Sequence, residues 1–180
     1  MTQHYTPHAP LTKVRWMVRG DFREVLEIER QSFDEPWTES DFVCTLQNKH
    51  HIGTAIGMVH ETVVVDGLMK VDGFMVYVLE PGAIRLINLA VTPGSRRHGV
   101  GRELLHCLRG KLSSTPRRKC ITAIVCEDNL DAQLWFRACG WDAVKIMRPE
   151  DWGEDGIVFV ARSVEFERKH PSRETEVTRG

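Results

Sequence analysis

The residues with the clearest chemical potential are Arg96-Arg97-His98-Gly99-Val100-Gly101-Arg102, which follow the apolar run Leu89-Ala90-Val91 and the breaker Thr92-Pro93-Gly94. In that order a buried strand ends, a basic glycine-containing loop follows, and a helix begins inside it. The first turn of a helix has unpaired N–H groups and the positive end of the helix dipole, which together suit an anion. Glycine at 99 and 101 removes Cβ atoms that would keep a phosphate away from those groups. Arg96, Arg97 and Arg102 add charge around the same point, and the pairing fits a pyrophosphate better than one small anion. A Gly-x-Gly pair also serves any tight loop, and a basic loop also serves as a solvated surface. A dinucleotide fold is disfavoured, because its glycine fingerprint follows the first strand and this one follows the fourth.

The elements that must position this loop are legible from pattern. Val14 to Val18 reads as a first strand, and Asp21 as the cap of a helix to about Ser32, with Phe22, Val25, Leu26 and Ile28 or Glu29 at helical spacing. Phe33-Asp34-Glu35-Pro36-Trp37 breaks that helix, and Thr38 with Asp41 forms a capping-box start for a second, to about Asn48. Ile56 to Val65 and Met69 to Leu79 are strands, with Asp66-Gly67 as the turn between them. Glu80-Pro81-Gly82 turns the chain into a fourth strand. There Ile84, Leu86, Asn88 and Ala90 alternate with Arg85, Ile87, Leu89 and Val91, and two largely apolar sets predict a central strand covered on both faces.

Gly99 to about Leu112 is a helix with Val100, Leu104, Leu105 and Leu108 on one stripe. A basic loop, Pro116 to Lys119, leads to an apolar strand from Cys120 to Cys126. Asn129 or Asp128 caps another helix, and Gly140 stops it. Trp141 to Met147 and Ile157 to Ala161 close the chain as a strand pair around a long loop. The organisation predicted is a mobile leader over 1–13, one mixed α/β domain over 14–162, and a charged, disordered tail over 163–180.

Bulk properties narrow the function. In 180 residues, 24 basic and 25 acidic side chains leave a formal net charge of -1, which gives no support for a nucleic-acid or anionic-membrane partner. No apolar run approaches the roughly 20 residues of a membrane span, and the N-terminus lacks a signal peptide's apolar stretch. A soluble, cytoplasmic protein is expected. Five widely spaced cysteines without a Cys-x-x-Cys pair predict reduced thiols, and the eight histidines show no ligand spacing, so no metal site is expected.

The sequence resembles the GNAT acetyltransferases. Arg96-Arg97-His98-Gly99-Val100-Gly101 matches that superfamily's Arg/Gln-x-x-Gly-x-Gly/Ala loop, in the expected element order. Asn129, Leu134-Trp135-Phe136 and Cys139-Gly140-Trp141 are similar to its Asn…Ala-x-x-hydrophobic-Tyr…Gly-Phe segment. Phe33 to Trp37 with Thr38-Glu39 resembles the Phe-Pro-Trp-Ser/Thr-Glu stretch of the ribosomal-protein-alanine (RimI-type) acetyltransferases. The resemblance spans about Val14 to Arg162. It implies that strands four and five splay apart and that acetyl-CoA lies in the gap. Backbone groups of Leu89, Ala90 and Val91 would pair with the pantetheine arm, amides of Arg97, His98, Gly99, Val100, Gly101 and Arg102 would hold the pyrophosphate, and Asn129 would bond the arm. The reaction implied is acetyl transfer to a primary amine by direct attack, with a protein N-terminus as leading acceptor. A lysine or small-molecule amine, and a non-catalytic acyl-CoA-binding module, remain alternatives.

One departure bears on mechanism. RimI-type enzymes carry a carboxylate on strand five and a tyrosine in the following helix; here those positions are Ile124 and Phe136, and neither exchanges a proton. Arg85 occupies a strand-four base position and stays protonated. Substitute carriers are Glu127 at the end of strand five and Tyr77 on strand three, each with a simpler reading as a solvated strand end and a packing residue; Cys126 shares Ile124's face, and Trp37 and Trp152 are candidate walls of the acceptor groove. Deprotonating an α-amine of pKa about 7.8 at pH 7 costs about 1 kcal/mol, against about 4.6 kcal/mol for lysine at about 10.4. General acid–base help is worth roughly 3–5 kcal/mol. An α-amine is therefore the easier acceptor for a site without a dedicated base.

Overall fold

The computed structural model describes residues 11–47, 53–64, 67–114, 117–148 and 155–163. The elements are β1 (Thr12–Trp16), α1 (Phe22–Arg30), α2 (Glu39–Leu46), β2 (Thr54–Val63), β3 (Met69–Leu79), β4 (Ala83–Val91), α3 (Val100–Ser113), β5 (Cys120–Cys126), α4 (Leu130–Ala138), β6 (Asp142–Met147) and β7 (Gly156–Arg162). The element order matches the one read from pattern. Most of the expected leader, the 149–154 loop with Trp152, and the tail from 164 lie outside the described residues. The first strand starts at Thr12, two positions earlier than read, because Thr12 already pairs with Thr62.

One seven-stranded mixed sheet runs in the order β1-β2-β3-β4-β5-β7-β6. Only β4 and β5 run parallel, joined by the α3 crossover; the other neighbours are antiparallel. Each face has its own core. Leu104, Leu105 and Leu108 of α3 and Phe136 of α4 pack with Met75, Tyr77, Ile84, Leu86, Ile121 and Phe159 on one face. Val25 and Ile28 of α1 and Phe42 of α2 pack with Val59, Phe74, Val76 and Ala90 on the other. Local chemistry sets the helix ends. Thr38 accepts from the Asp41 amide and Asp41 accepts from the Thr38 amide, the reciprocal box read from the sequence. Asp21 makes no cap bond to α1; its carboxylate instead accepts from the Val18 amide and pairs with Arg15, which also reaches Glu61 at 2.5 Å.

Strict alternation along β4 does not hold. In the β3–β4 register Val76 faces Asn88 and Tyr77 faces Leu86, so Ile87 has no opposite residue. This bulge switches the faces: Leu86 lies in the α3-side core, whereas Asn88 reaches a carboxylate on α1 and Ala90 joins the α1-side core.

A buried ionic knot ties α3 to the sheet. His60, fully buried on β2, contacts Asp72 Oδ1 through Nδ1 at 2.5 Å and Glu103 Oε2 in the first half of α3 through Nε2 at 3.1 Å. Burial works against a charged ring, but Asp72 and then Glu103 outweigh it and the His60 pKa is raised above its ordinary 6.5. A histidine with a raised folded pKa contributes stability that is complete below the unfolded value and lost as pH rises through the folded one. The thermal midpoint of the wild type should therefore fall on going from pH 6 into the mildly alkaline range. In a folded His60→Gln variant that pH slope should be flattened, as read by differential scanning fluorimetry across a pH series.

Candidate active site

The opening between β4 and β5 follows from their hydrogen-bond ladder. It runs from Ala83–Cys120 through Ile84–Ile121 and Arg85–Thr122 to Leu86–Ala123, and stops there. Beyond it β4 continues to Val91 paired only with β3, and β5 continues to Cys126 paired only with β7. The ladder ends beside the Ile87 bulge. Two parallel strand edges thus diverge inside the sheet, each with backbone groups that the other strand no longer uses.

The loop Thr92–Gly99 carries the chain from the open part of β4 to the head of α3. It contains a 3-10 turn at Pro93–Ser95, a left-handed residue at Arg97 (φ 64), and a left-handed glycine, Gly99 (φ 96), as the cap of α3. The Glu103 amide donates to the Gly99 carbonyl, so the amides of Val100, Gly101 and Arg102 precede the first intrahelical bond. The two glycines have different physical reasons. Space around Gly99 is open and its positive φ is what requires glycine. A Cβ on Gly101 would stand 2.8 Å from Cζ2 of Trp135, so Gly101 is there to let the α4 indole lie against the helix head.

The basic side chains divide in the same way. Arg97, His98 and Arg102 are exposed around the helix head. Arg96 is exposed too, but it is a brace: its Nε donates to the Val91 carbonyl and its guanidinium to Ser32 Oγ in the α1–α2 loop. The His98 Nδ1 lies 2.8 Å from the Arg96 carbonyl.

At the far side of the opening, Asn129 caps α4 through a bond from the Ala132 amide to its Oδ1. Gln133, which nothing in the sequence singled out, is buried and donates from Nε2 to the carbonyls of Cys126 and Glu127, fixing the end of β5 to α4. Glu29 and Asn88 were also missed as a pair. The sequence signal was present in Glu29, a charged residue on the apolar stripe with Val25 and Ile28.

The named proton carriers fall in different settings. Ile124 is the first β5 residue past the ladder, and Phe136 packs in the core stacked on Phe159 with centroids 5.6 Å apart. Glu127 is exposed at the end of β5, where its amide donates to the Asp155 carbonyl. Tyr77 is 1% exposed inside the α3-side core, where burial pushes its pKa up to about 12, a poor donor for a departing thiolate. Burial raises the thiols of Cys107, Cys120 and Cys139. Arg85 is held against Glu80 at 2.8 Å. Among the described residues no three His, Cys, Asp or Glu side chains converge as a metal site, and no helix is long and apolar enough to cross a membrane.

The described residues form a sheet opened between its parallel strands, with a basic helix head following the opened stretch of β4. Comparison gives the class a name. Residues 11–141 match the model of the acetyltransferase (GNAT) family, and the chain belongs to that family. No curated protein sequence matches it significantly. Among solved structures it is similar to the Escherichia coli ribosomal-protein-S18-alanine N-acetyltransferase, at 21% identity and TM-score 0.68, covering 85% of this chain and 94% of that one. It is similar to Arabidopsis thaliana NAA60 in complex with acetyl-CoA, at 17% identity and TM-score 0.70, covering 84% and 98%. It is similar also to a spermidine N-acetyltransferase SpeG chimera from Vibrio cholerae, at 17% identity and TM-score 0.67, covering 86% and 97%. At these identities the likeness is one of fold.

The Gly101–Trp135 contact makes a direct expectation. Gly101→Ala drives a methyl into the indole and should destabilise the protein by about 1–3 kcal/mol. Gly101→Ala combined with Trp135→Leu should recover part of that loss, a coupling measured by denaturant unfolding of the two single variants and the double.

Proposed function

We propose that this GNAT enzyme transfers the acetyl group of acetyl-CoA to a primary amine, with a protein N-terminal α-amine as its acceptor. The observation that carries the proposal is the end of the β4–β5 ladder at Leu86–Ala123, next to the head of α3. An arm carrying amides along its length can occupy that opening as an added strand, on backbone groups of Leu89, Ala90 and Val91. Its diphosphate then falls at the amides of residues 97–102, flanked by the exposed Arg97 and Arg102. Asn129, already bonded through Oδ1, keeps its amide donors for the same arm.

In the reaction the neutral amine attacks the thioester carbonyl carbon, the C–N bond forms, and the C–S bond breaks as the sulfur leaves as thiolate. The amine loses a proton and the thiolate gains one. With Ile124 and Phe136 in the positions where RimI-type enzymes carry a carboxylate and a tyrosine, no side chain in the usual places moves these protons, so solvent takes that part. The exposed Glu127 carboxylate is the group placed to accept a proton through water at the end of β5. Catalysis then rests on orientation and on backbone N–H groups facing the developing oxyanion. That favours an acceptor with an appreciable neutral fraction near pH 7, which an α-amine has and a lysine has not. The Phe33–Trp37 likeness to the RimI-type enzymes points to the same acceptor, whereas the spermidine acetyltransferase of the same fold marks a small polyamine as the competing one.

Release of free CoA thiol from acetyl-CoA should be faster with peptides bearing a free N-terminus than with N-terminally blocked, lysine-bearing ones. Thiol release by neither pool, from a protein that still binds CoA, would identify a binding module instead. Gly99→Ala carries the strain of a positive φ alone, while Gly99→Glu adds a negative charge at the helix head. The glutamate should weaken CoA binding well beyond the alanine, by roughly 10-fold or more; equal affinities, measured by calorimetry, would remove the diphosphate from this position.

A further inference from the structure

We propose that Glu29 is a positioning residue for the acceptor: its buried carboxylate hangs the α1–α2 loop from β4 at the opening and so sets where the acceptor meets the donor. The inference rests on the acetyl-transfer reading above and names the part of the chain that aligns the second substrate.

Glu29 lies in the last turn of α1 with 1% of its surface exposed. One oxygen accepts the Trp37 amide at 2.9 Å, and both accept from Asn88 Nδ2, at 3.1 and 3.2 Å. Asn88 is the residue just past the Ile87 bulge, on the stretch of β4 that β5 no longer pairs. One carboxylate thus joins the end of the α1–α2 loop to the opened strand. A second tether runs in parallel, from Ser32 in the same loop to Arg96 beyond β4. The Trp37 ring is packed edge-on against Phe42 at 5.2 Å, which leaves the loop backbone held at both ends.

Core stability gives no reason for a carboxylate here. Among the described residues its partners are the Trp37 N–H from the loop and the Asn88 amide from β4, and no charged side chain of α1, α2 or β4 pairs with it. Burial raises its pKa despite those two donors. An unpaired buried carboxylate among Val25, Ile28 and Phe42 is costly where an apolar side chain would pack. What the carboxylate supplies that an apolar residue cannot is a fixed bond to a loop amide and to the strand at the same time. α3 and α4 cover one face of the sheet and α1 and α2 the other; the α1–α2 loop, bonded to the opened stretch of β4, is the edge assigned to the acceptor.

The charge state gives the proposal its signature. As pH falls through the raised Glu29 pKa, the protonated acid becomes a weaker acceptor for the Trp37 and Asn88 donors and the loop is released. The acceptor KM should therefore rise on the acid side in the wild type. Glutamine keeps an acceptor for Trp37 and can turn its amide to the otherwise unpartnered Asn88 Oδ1; it has no proton to gain.

The test is steady-state kinetics of the full chain over a pH series, with acetyl-CoA and a free-N-terminus peptide varied in turn. Glu29→Leu should raise the peptide KM by roughly tenfold, the worth of a hydrogen bond to a charged group, with the acetyl-CoA KM unchanged. Glu29→Gln, fixed in the neutral state, should give a peptide KM between those of the wild type and Glu29→Leu, and its acid-side rise should shrink to the part that protonation of the peptide's own α-amine brings. An unchanged peptide KM in Glu29→Leu, an equal rise in both KM values, or an acid-side rise as steep in Glu29→Gln as in the wild type would each overturn the proposal. A readout independent of turnover is amide exchange at Trp37. Protection should fall with pH in the wild type and be flat in Glu29→Gln; rapid exchange at Trp37 in the wild type at neutral pH also overturns the inference. Failure of the wild type to release thiol with any amine would count against the acetyl-transfer reading, and the Trp37 exchange would still decide the clamp.

Discussion

The structure turns on a hydrogen-bond ladder that stops early. Parallel strands β4 and β5 pair from Ala83–Cys120 to Leu86–Ala123 and then part, at the point where Ile87 bulges out of register with β3. A bulge bends a strand and increases its twist, so one unpaired residue is enough to steer the rest of β4 away from β5. Backbone groups left without partners within a sheet are costly, and the proposed donor arm would supply those partners as an added strand. The switch of faces at Ile87 also sends Asn88 toward α1, so the same residue count that opens the sheet attaches the loop above it.

The helix head at the mouth of the opening is shaped by contacts that do not involve ligand at all. Gly101 is small because Trp135 of α4 lies against it, and Gly99 is glycine because the chain turns through φ 96 there. Arg97 accepts a left-handed conformation at φ 64, a strain of order 1–3 kcal/mol that the rest of the loop must hold in place. Arg96 supplies part of that hold through Val91 and Ser32. The His60–Asp72–Glu103 knot fixes α3 to β2 and β3 just behind it. The helix head and the α1–α2 loop are thus built on one frame.

Much of this was legible in the sequence, and the misses have a common cause. Periodicity and turn chemistry gave the element order, the bounds of β3 and β5, and the Thr38–Asp41 box, because those are local features. The basic loop with its two glycines located the helix head. The β4 bulge was invisible, since Ile84 to Val91 alternates smoothly as text and only the β3 register reveals the unpaired residue. Glu29, Asn88 and Gln133 act through partners at 59, 59 and 7 or 6 positions' distance, separations at which pattern carries no signal for the first pair and no distinctive one for the last. Tyr77, a candidate proton carrier whose simpler reading was packing, lies in the core.

In the reaction we propose, position replaces proton transfer by a side chain. The site's strand-five and helix positions hold Ile124 and Phe136, which move no proton, and for that reason the proposed reaction takes a nucleophile that needs little deprotonation. The claim beneath all of this is that the open edges of β4 and β5 receive the donor. Amide hydrogen exchange with and without CoA measures that most directly. Added CoA should slow exchange at the open-stretch amides of Leu89 to Val91 and at Gly99 to Arg102, while Ile84 to Leu86, already within the ladder, should not change. Exchange unaltered at the open stretch in the presence of bound CoA would contradict the account.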